Sequence, residues 1–323
     1  MACVGCDNTM VRFIRSVDTL ESMKDFLVSH GIVRDTVNCP SCGSICNLKF
    51  NIGKEELAYG CKKQLDQQKC NFFRRAKKDT FIGAPHLSVD QILKFCALWC
   101  ILPNPRQKTL IAEIKIKARI VVYWSNFCRE VCLDWVYDNR RQIGGPGKVV
   151  EIDGSKFCRQ KYKRGRLNEG QWVFGGVERG NARNFFVVTV ENRDAETLVN
   201  IILQWILPGT TIVSDCWKDY NSLENEDFVQ LRANHSVEFV DTAESGDIHI
   251  KNLRRLAGEH VTVNKKNIEK KWLSRKYSVP VFGLNKRHFE GHFAEHIFKT
   301  NFPRSRLICE FFKRAAVLYP PPH

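Results

Sequence analysis

Apolar residues recur at helical spacing near the start of the chain. Over 13–33, Leu20, Met23, Phe26 and Leu27 fall on one face and His30-Gly31 supplies a stop, which predicts a helix. Residues 38–75 read differently, with short alternating runs at 47–52 and 56–60 set among cysteines. Helical spacing returns over 88–139. Ser88 caps VDQILKFCALWCIL, Pro103 and Pro105 break that helix, and two more follow. GGPGK (144–148) is the clearest linker. Beyond it the period shortens to that of strands: VVEID (149–153), QWVFGGVE (171–178), NFFVVTVE (184–191) and TTIVSD (210–215), with VEFVD (237–241) as a further candidate. Between the third and fourth runs, DAETLVNIILQWIL (194–207) is an amphipathic helix opened by Asp194. Residues 265–277 and 285–299 are helical and basic. Three strands, a crossover helix and a strand ending in Asp predict an α/β domain with a mixed sheet.

A chain of 323 residues, 43% hydrophobic and 26% charged, suits about two globular domains and excludes disordered, collagen-like and coiled-coil classes. No apolar run reaches the ~18 residues of a membrane span. MACVGCDNTMVRFIR has no signal-peptide core, so a soluble intracellular protein without a membrane partner is expected. Fifty Lys and Arg against 35 Asp and Glu leave a net charge of +15, the balance of a protein whose partner is a polyanion, most often nucleic acid. Without an export signal, 14 cysteines read as reduced thiols and metal ligands.

Cys39-Pro-Ser-Cys42 followed by Cys61 and Cys70 has the spacing of a zinc site, each close pair aiming two sulfurs at one ion. Cys46 competes for one position. Cys3-x2-Cys6 has no visible partner pair and is set aside, and Cys96, Cys100, Cys128, Cys132 and Cys216 read as small buried hydrophobes. Residues 106–135 form two helices joined near Ile116-Lys117, a helix-turn-helix-like arrangement that places Arg119, Tyr123 and Arg129 near DNA, with plain packing as the alternative. Asp153 and Asp215 each end an apolar strand. A carboxylate there is costly to desolvate unless it meets a cation or a partner, and two on adjacent strands favour divalent metal. Two metals about 3.5–4 Å apart suit phosphodiester chemistry. A third ligand falls among Asn264, Asn267 and Glu269. Basic residues flank these acids: Lys156, Lys161, Lys163, Arg164 and Arg166 on one side, Lys270 and Lys271 on the other, placed to hold DNA phosphates.

EIDGSKFCRQKYKRGRLNEGQWVFGGVERG, VENRDAETLVNIILQWILPGTTIVSDCWKDYNSLE and NHSVEFVD together resemble the transposase domain of the Merlin superfamily and its bacterial ISXO-like insertion-sequence relatives. NIEKKW (267–272) is similar to the family's Ile-Glu-x-x-Trp helix, and FGLNKRHFEGHFAEHIF (282–298) to its closing helix. The resemblance implies an RNase H-like catalytic domain over 148–302 in which Asp153, Asp215 and Glu269 use two Mg²⁺ or Mn²⁺ ions to cut transposon ends and join the 3′-OH to target DNA. Two departures stand out. Gly154 occupies a position that is usually acidic, and about a dozen extra residues at 253–265 keep Asn264 as a rival third ligand. The expected organisation is a helical segment 1–36, a zinc ribbon 37–80, a helical DNA-binding region 86–143, the catalytic domain and a tail 303–323. Ribbon and helices would bind terminal inverted repeats, and homo-oligomerisation would pair two ends. The expected location is the nucleus in a eukaryotic host and otherwise the cytoplasm. The alternative is a domesticated or decayed DNA-binding protein without chemistry.

Overall fold

A computed structural model of the chain describes residues 3, 6, 9–51, 56–65, 68–83, 87–104, 106–157, 171–181, 183–215, 228–233, 268 and 289–322. It divides into two compact mixed α and β units, Met1–Asp138 with Ala294–His323, and Asn139–Phe293, so the second is inserted into the sequence of the first. Among the described residues no helix is long and apolar enough to cross a membrane.

The first unit opens with α1 (Met10–Ser16) and α2 (Leu20–Ser29). One helix was expected here and two form, because Thr19 caps a new start. Its hydroxyl accepts from Ser22 N at 3.1 Å while Ser22 Oγ accepts from Thr19 N at 3.0 Å. Phe13 and Val17 are buried ahead of the cap, and Leu20, expected inside, is exposed. Gly31, at φ +75, lets the chain leave α2 in the left-handed region. Small ladders follow. The strands β1 (Thr36–Asn38) and β2 (Ile45–Asn47) pair with each other. The strands β3 (Lys49–Asn51) and β4 (Glu56–Cys61) begin a second sheet. A hairpin of β5 (Gln64–Leu65) and β6 (Gln68–Lys69) leads to β7 (Phe72–Arg75), which closes that sheet in the order β3-β4-β7. The helix α3 (Val89–Ile101) starts at the expected Ser88, with a Ser88–Gln91 capping box. Then come α4 (Gln107–Ile114) and α5 (Ala118–Asp138), turned by Lys115 at φ 55. Val121, Trp124, Cys128, Val131 and Cys132 bury one stripe of α5.

The second unit contains β8 (Ile143–Gly144), β9 (Val149–Phe157), β10 (Gln171–Glu178), β11 (Phe185–Val190), α6 (Ala195–Trp205), β12 (Ile206–Leu207), β13 (Thr211–Asp215) and β14 (Val229–Ala233). Five strands form one mixed sheet in the order β11-β10-β9-β13-β14. The first three are antiparallel, while β13 runs parallel to both β9 and β14. Asp194 caps α6 as expected, accepting from Thr197 N at 2.8 Å. Alternation gives the sheet two apolar faces. Val150, Ile152, Phe174, Phe186 and Ile212 pack with Leu198 and Ile202 of α6, whereas Val173 and Val177 pack with Ile268, Phe289 and Phe293. Gly176 is required on the α6 face, since a Cβ there would lie 2.5 Å from a Phe186 ring carbon. GGPGK proves to be a tied turn rather than a free linker. Gly145 N donates to Thr210 Oγ1 at 2.7 Å, Gly144 N donates to Glu178 at 3.2 Å, and β8 pairs with β12. β14 was not anticipated. The expected strand 237–241 lies outside the described residues.

Two helices close the chain, α7 (Phe289–Asn301) and α8 (Leu307–Leu318). The expected tail 303–323 is corrected by α8, whose Leu307, Ile308, Cys309, Phe311, Phe312 and Ala315 are buried in the first unit's core. Phe312 meets Phe26 edge-on at 5.2 Å, and Arg314 pairs with Asp134 and, at 2.6 Å, with Asp138.

Candidate catalytic face and metal centre

Register places the two aspartates together. β9 and β13 pair as Val149 with Thr211, Val150 with Ile212 and Val213 with Glu151, and the same offset of 62 residues, continued two residues past the last pair, brings Asp215 level with Asp153. Asp153 is half-buried two residues past the last β9–β13 pair, with Gly175 as its cross-strand partner on β10. Two positions back on the same face, Glu151 has no exposed surface. It accepts from Arg179 Nε at 2.8 Å and from Ile268 N at 3.0 Å. A buried carboxylate needs such partners, and this one fixes the backbone of the residue immediately before Glu269. Glu269 itself, Asn264, Lys161, Lys163, Arg164, Arg166, Lys270 and Lys271 lie outside the described residues.

Lys156 corrects one expectation. Alternation puts it on the α6 face, opposite to that of Asp153, with Nζ 5.6 Å from the Trp172 ring centre. Arg193 stacks on the same ring at 4.0 Å. A Cβ added to Gly154, the position expected to be acidic, would lie 3.9 Å from that guanidinium.

In the first unit, Arg119 is exposed on the first turn of α5, beside exposed Val122 and Tyr123. Arg129 was expected to face DNA and instead turns inward. Its Nε pairs with Glu295 at 3.2 Å, and its side chain is only 14% exposed. Glu295 also meets Arg106 at 2.7 Å and Lys299 at 3.0 Å. Burial pushes the Glu295 carboxyl up, but Lys299, Arg106 and Arg129 more than reverse this and hold it at about 2. Nothing local in the sequence joins Arg106 to Glu295, so this network was not foreseen.

The ribbon cysteines do converge. Cys39, Cys42, Cys61 and Cys70 bring their sulfurs within 4.8 Å of one another, Cys39 to Cys70 at 3.4 Å and Cys42 to Cys61 at 3.5 Å. A tight turn carries the first pair, with Gly43 N donating to Cys39 O at 2.8 Å, and the β5–β6 hairpin separates the second. The hydrogen bond with Ser44 pulls the Cys42 thiol down to about 6, while sharing a hydrogen bond with Cys39 pushes Cys70 up to about 12. Cys46 is outside the group and points its sulfur at Ser44 O. Four mutually close thiols suit a thiophilic ion, and zinc at about 2.3 Å from each sulfur would space them roughly 3.8 Å apart.

The second unit is thus an α/β domain with Asp153 midway along β9 and Asp215 at the end of the adjacent parallel strand β13, and the stretch that matches a transposase family lies within it. Residues 145–260, about a third of the chain, match the model of the ISXO2-like transposase domain. The match includes Asp153 and Asp215 and ends before Glu269. A comparison with curated proteins gave no match.

Proposed function

We propose that the protein is a DNA transposase whose second unit has an RNase H-like fold and cuts and joins DNA through Asp153, Asp215 and Glu269. The observation that carries this is the parallel β9–β13 register, whose offset, continued from Val213 and Glu151, brings Asp215 level with Asp153 inside the segment that matches the transposase family. The strand order, three antiparallel strands followed by two parallel ones, accords with it. So does the bond from Ile268 N to Glu151, which fixes the chain one residue from Glu269 beside the Asp153 face.

Oxygen donors alone suit Mg²⁺ or Mn²⁺ better than zinc, and half-buried Asp153, just past the last β9–β13 pair, fits such an ion. The residues that would hold two ions are Asp153, Asp215 and Glu269, with Asn264 the rival to the last. Such a pair, when bound, polarises the scissile phosphate and lowers the pKa of the attacking water or 3′-OH. Asp153 and Asp215, fixed by the ladder, orient the reacting phosphate. Arg179, paired with Glu151, keeps the floor beneath them ordered.

In the first unit, Cys39, Cys42, Cys61 and Cys70 hold a structural zinc ion, and the exposed start of α5 with Arg119 reads the terminal repeats. The test is cleavage of a labelled duplex carrying the element's own terminal repeat in Mg²⁺ or Mn²⁺. Wild type cuts and joins, and Asp153→Asn and Asp215→Asn bind without cutting. A wild type that binds but never cuts overturns the reading in favour of a domesticated DNA-binding protein.

A further inference from the structure

A second group of metal-ligand side chains lies in the first unit, built from parts of the sequence too distant to be paired by spacing. Cys3, Cys6, His30 and Cys309 bring three sulfurs and an imidazole nitrogen within 4.8 Å of one another. Cys3 Sγ is 3.6 Å from Cys309 Sγ, and Cys6 Sγ is 3.4 Å from His30 Nε2. Around tetrahedral zinc, with bonds of about 2.3 Å to sulfur and about 2.0–2.1 Å to nitrogen, such edges are roughly 3.8 and 3.5 Å. These two separations are close to those edges, while 3.6 Å is far beyond the ~2.05 Å of a disulfide.

The imidazole is also oriented as a ligand. His30 caps the C-terminus of α2, and its Nδ1 lies 2.8 Å from Phe26 O, one turn earlier. Since the carbonyl can only accept, Nδ1 carries the proton and Nε2 presents its lone pair towards Cys6. A backbone carbonyl holding the outer ring nitrogen is the usual support of a metal-bound histidine. The Phe26 ring stacks on the imidazole at 3.9 Å, and Cys3 N donates to Ser29 O at 2.8 Å, fixing the cysteine loop to the end of α2. From the other side, α8 presents Cys309 with no exposed surface, between Ile308 and Phe311 in the core. All four positions are at least half-buried, and three sulfurs with one nitrogen complete the shell, leaving no place for a substrate.

We infer that Cys3, Cys6, His30 and Cys309 bind a second, structural zinc ion. Its ligands come from both segments of the first unit, those before and after the inserted transposase domain. The ion therefore ties α8 to the start of the chain across more than three hundred residues of sequence, beside the ring contacts of Phe312 with Phe13 and Phe26.

The test is the metal content and ligand shell of the purified full-length chain. Elemental analysis should find two zinc ions per chain. X-ray absorption should give an average of about 3.5 sulfurs and 0.5 nitrogen per zinc, from one all-sulfur site and one Cys3His site. Cys6→Ser and Cys309→Ser should each lower the count to one, with the remaining ion in an all-sulfur shell. One zinc per chain with four sulfurs in the wild type overturns the inference, as does a Cys3–Cys309 disulfide found by mapping. One zinc with three sulfurs and a nitrogen upholds it and removes the ribbon ion instead, so the two sites fail separately. Because the decisive readings are made on wild type, a variant that does not fold leaves the outcome intact.

Discussion

Two positions back from Asp153 along β9, Glu151 answers both the Arg179 guanidinium and the Ile268 amide from a site with no exposed surface. Truncating it removes the ion pair of partly buried Arg179 and the acceptor of the buried Ile268 N–H at once. Glu151→Ala should cost about 3–5 kcal/mol in urea unfolding, while Glu151→Gln keeps an acceptor for Ile268 N and should cost clearly less. Equal losses in the two variants would mean that the Ile268 bond contributes nothing. On the other face, Gly176→Ala forces a methyl group to within 2.5 Å of Phe186 and 3.2 Å of Val150. Overpacking of this kind costs about 1–3 kcal/mol, read as a fall in the unfolding midpoint with an unchanged slope. A neutral Gly176→Ala would show that the Phe186 ring can shift aside.

At the scale of elements, α5 separates two arginines that look alike in the sequence. Arg119 stands exposed at its start, whereas Arg129 is folded onto Glu295. Arg119→Ala should weaken repeat binding and reduce the salt dependence by about one phosphate contact, with stability unchanged. Arg129→Ala should do the reverse, destabilising the fold with little direct effect on the salt slope. Glu295 joins α5 to α7 and to Arg106 just ahead of α4, and its carboxyl is held at about 2, below its ordinary 4.5. A depressed carboxyl stabilises the fold fully above the unfolded value and loses that contribution as protons bind. Stability should therefore decline between pH 4.5 and about 2, by about 3 kcal/mol from this group, and Glu295→Gln should flatten that part of the profile. The helices around this network were legible from their periodicity and caps, Ser88 and Asp194 above all. The network was not, because charged residues at 106, 129, 295 and 299 carry no local pattern that couples them. Lys156 was misplaced for a different reason. Its charge was read along the chain, while strand alternation from Asp153 already assigned it to the other face.

For the whole molecule, the sequence is nested, the unit that carries the match to the ISXO2-like transposase domain lying between the two segments of another compact unit. Spacing exposed the ribbon cysteines because their partners are close in sequence. Cys3 and Cys6 looked solitary because their partners are His30, 24 residues from Cys6, and Cys309, 306 residues from Cys3. The same distance explains why 303–323 read as a tail: α8 finds its core only against helices at the other end of the chain. Apart from its cysteines, the β1–β7 region buries only Val37, Leu48, Leu57, Ala58 and Tyr59 among the described residues, so its order should depend on metal, as in other small metal-held folds. The five-stranded sheet has its own two apolar clusters and no cysteine group among the described residues. Removing zinc with a strong chelator should therefore open the first unit while the sheet persists. Under limited proteolysis, chelated protein should lose residues 1–138 and yield a resistant fragment near 139–293, and restoring zinc before the protease is added should protect the N-terminal region. Digestion of both units at one rate after chelation would show that metal sustains the whole fold, and full resistance would show that the cysteine groups hold no ion that the fold requires.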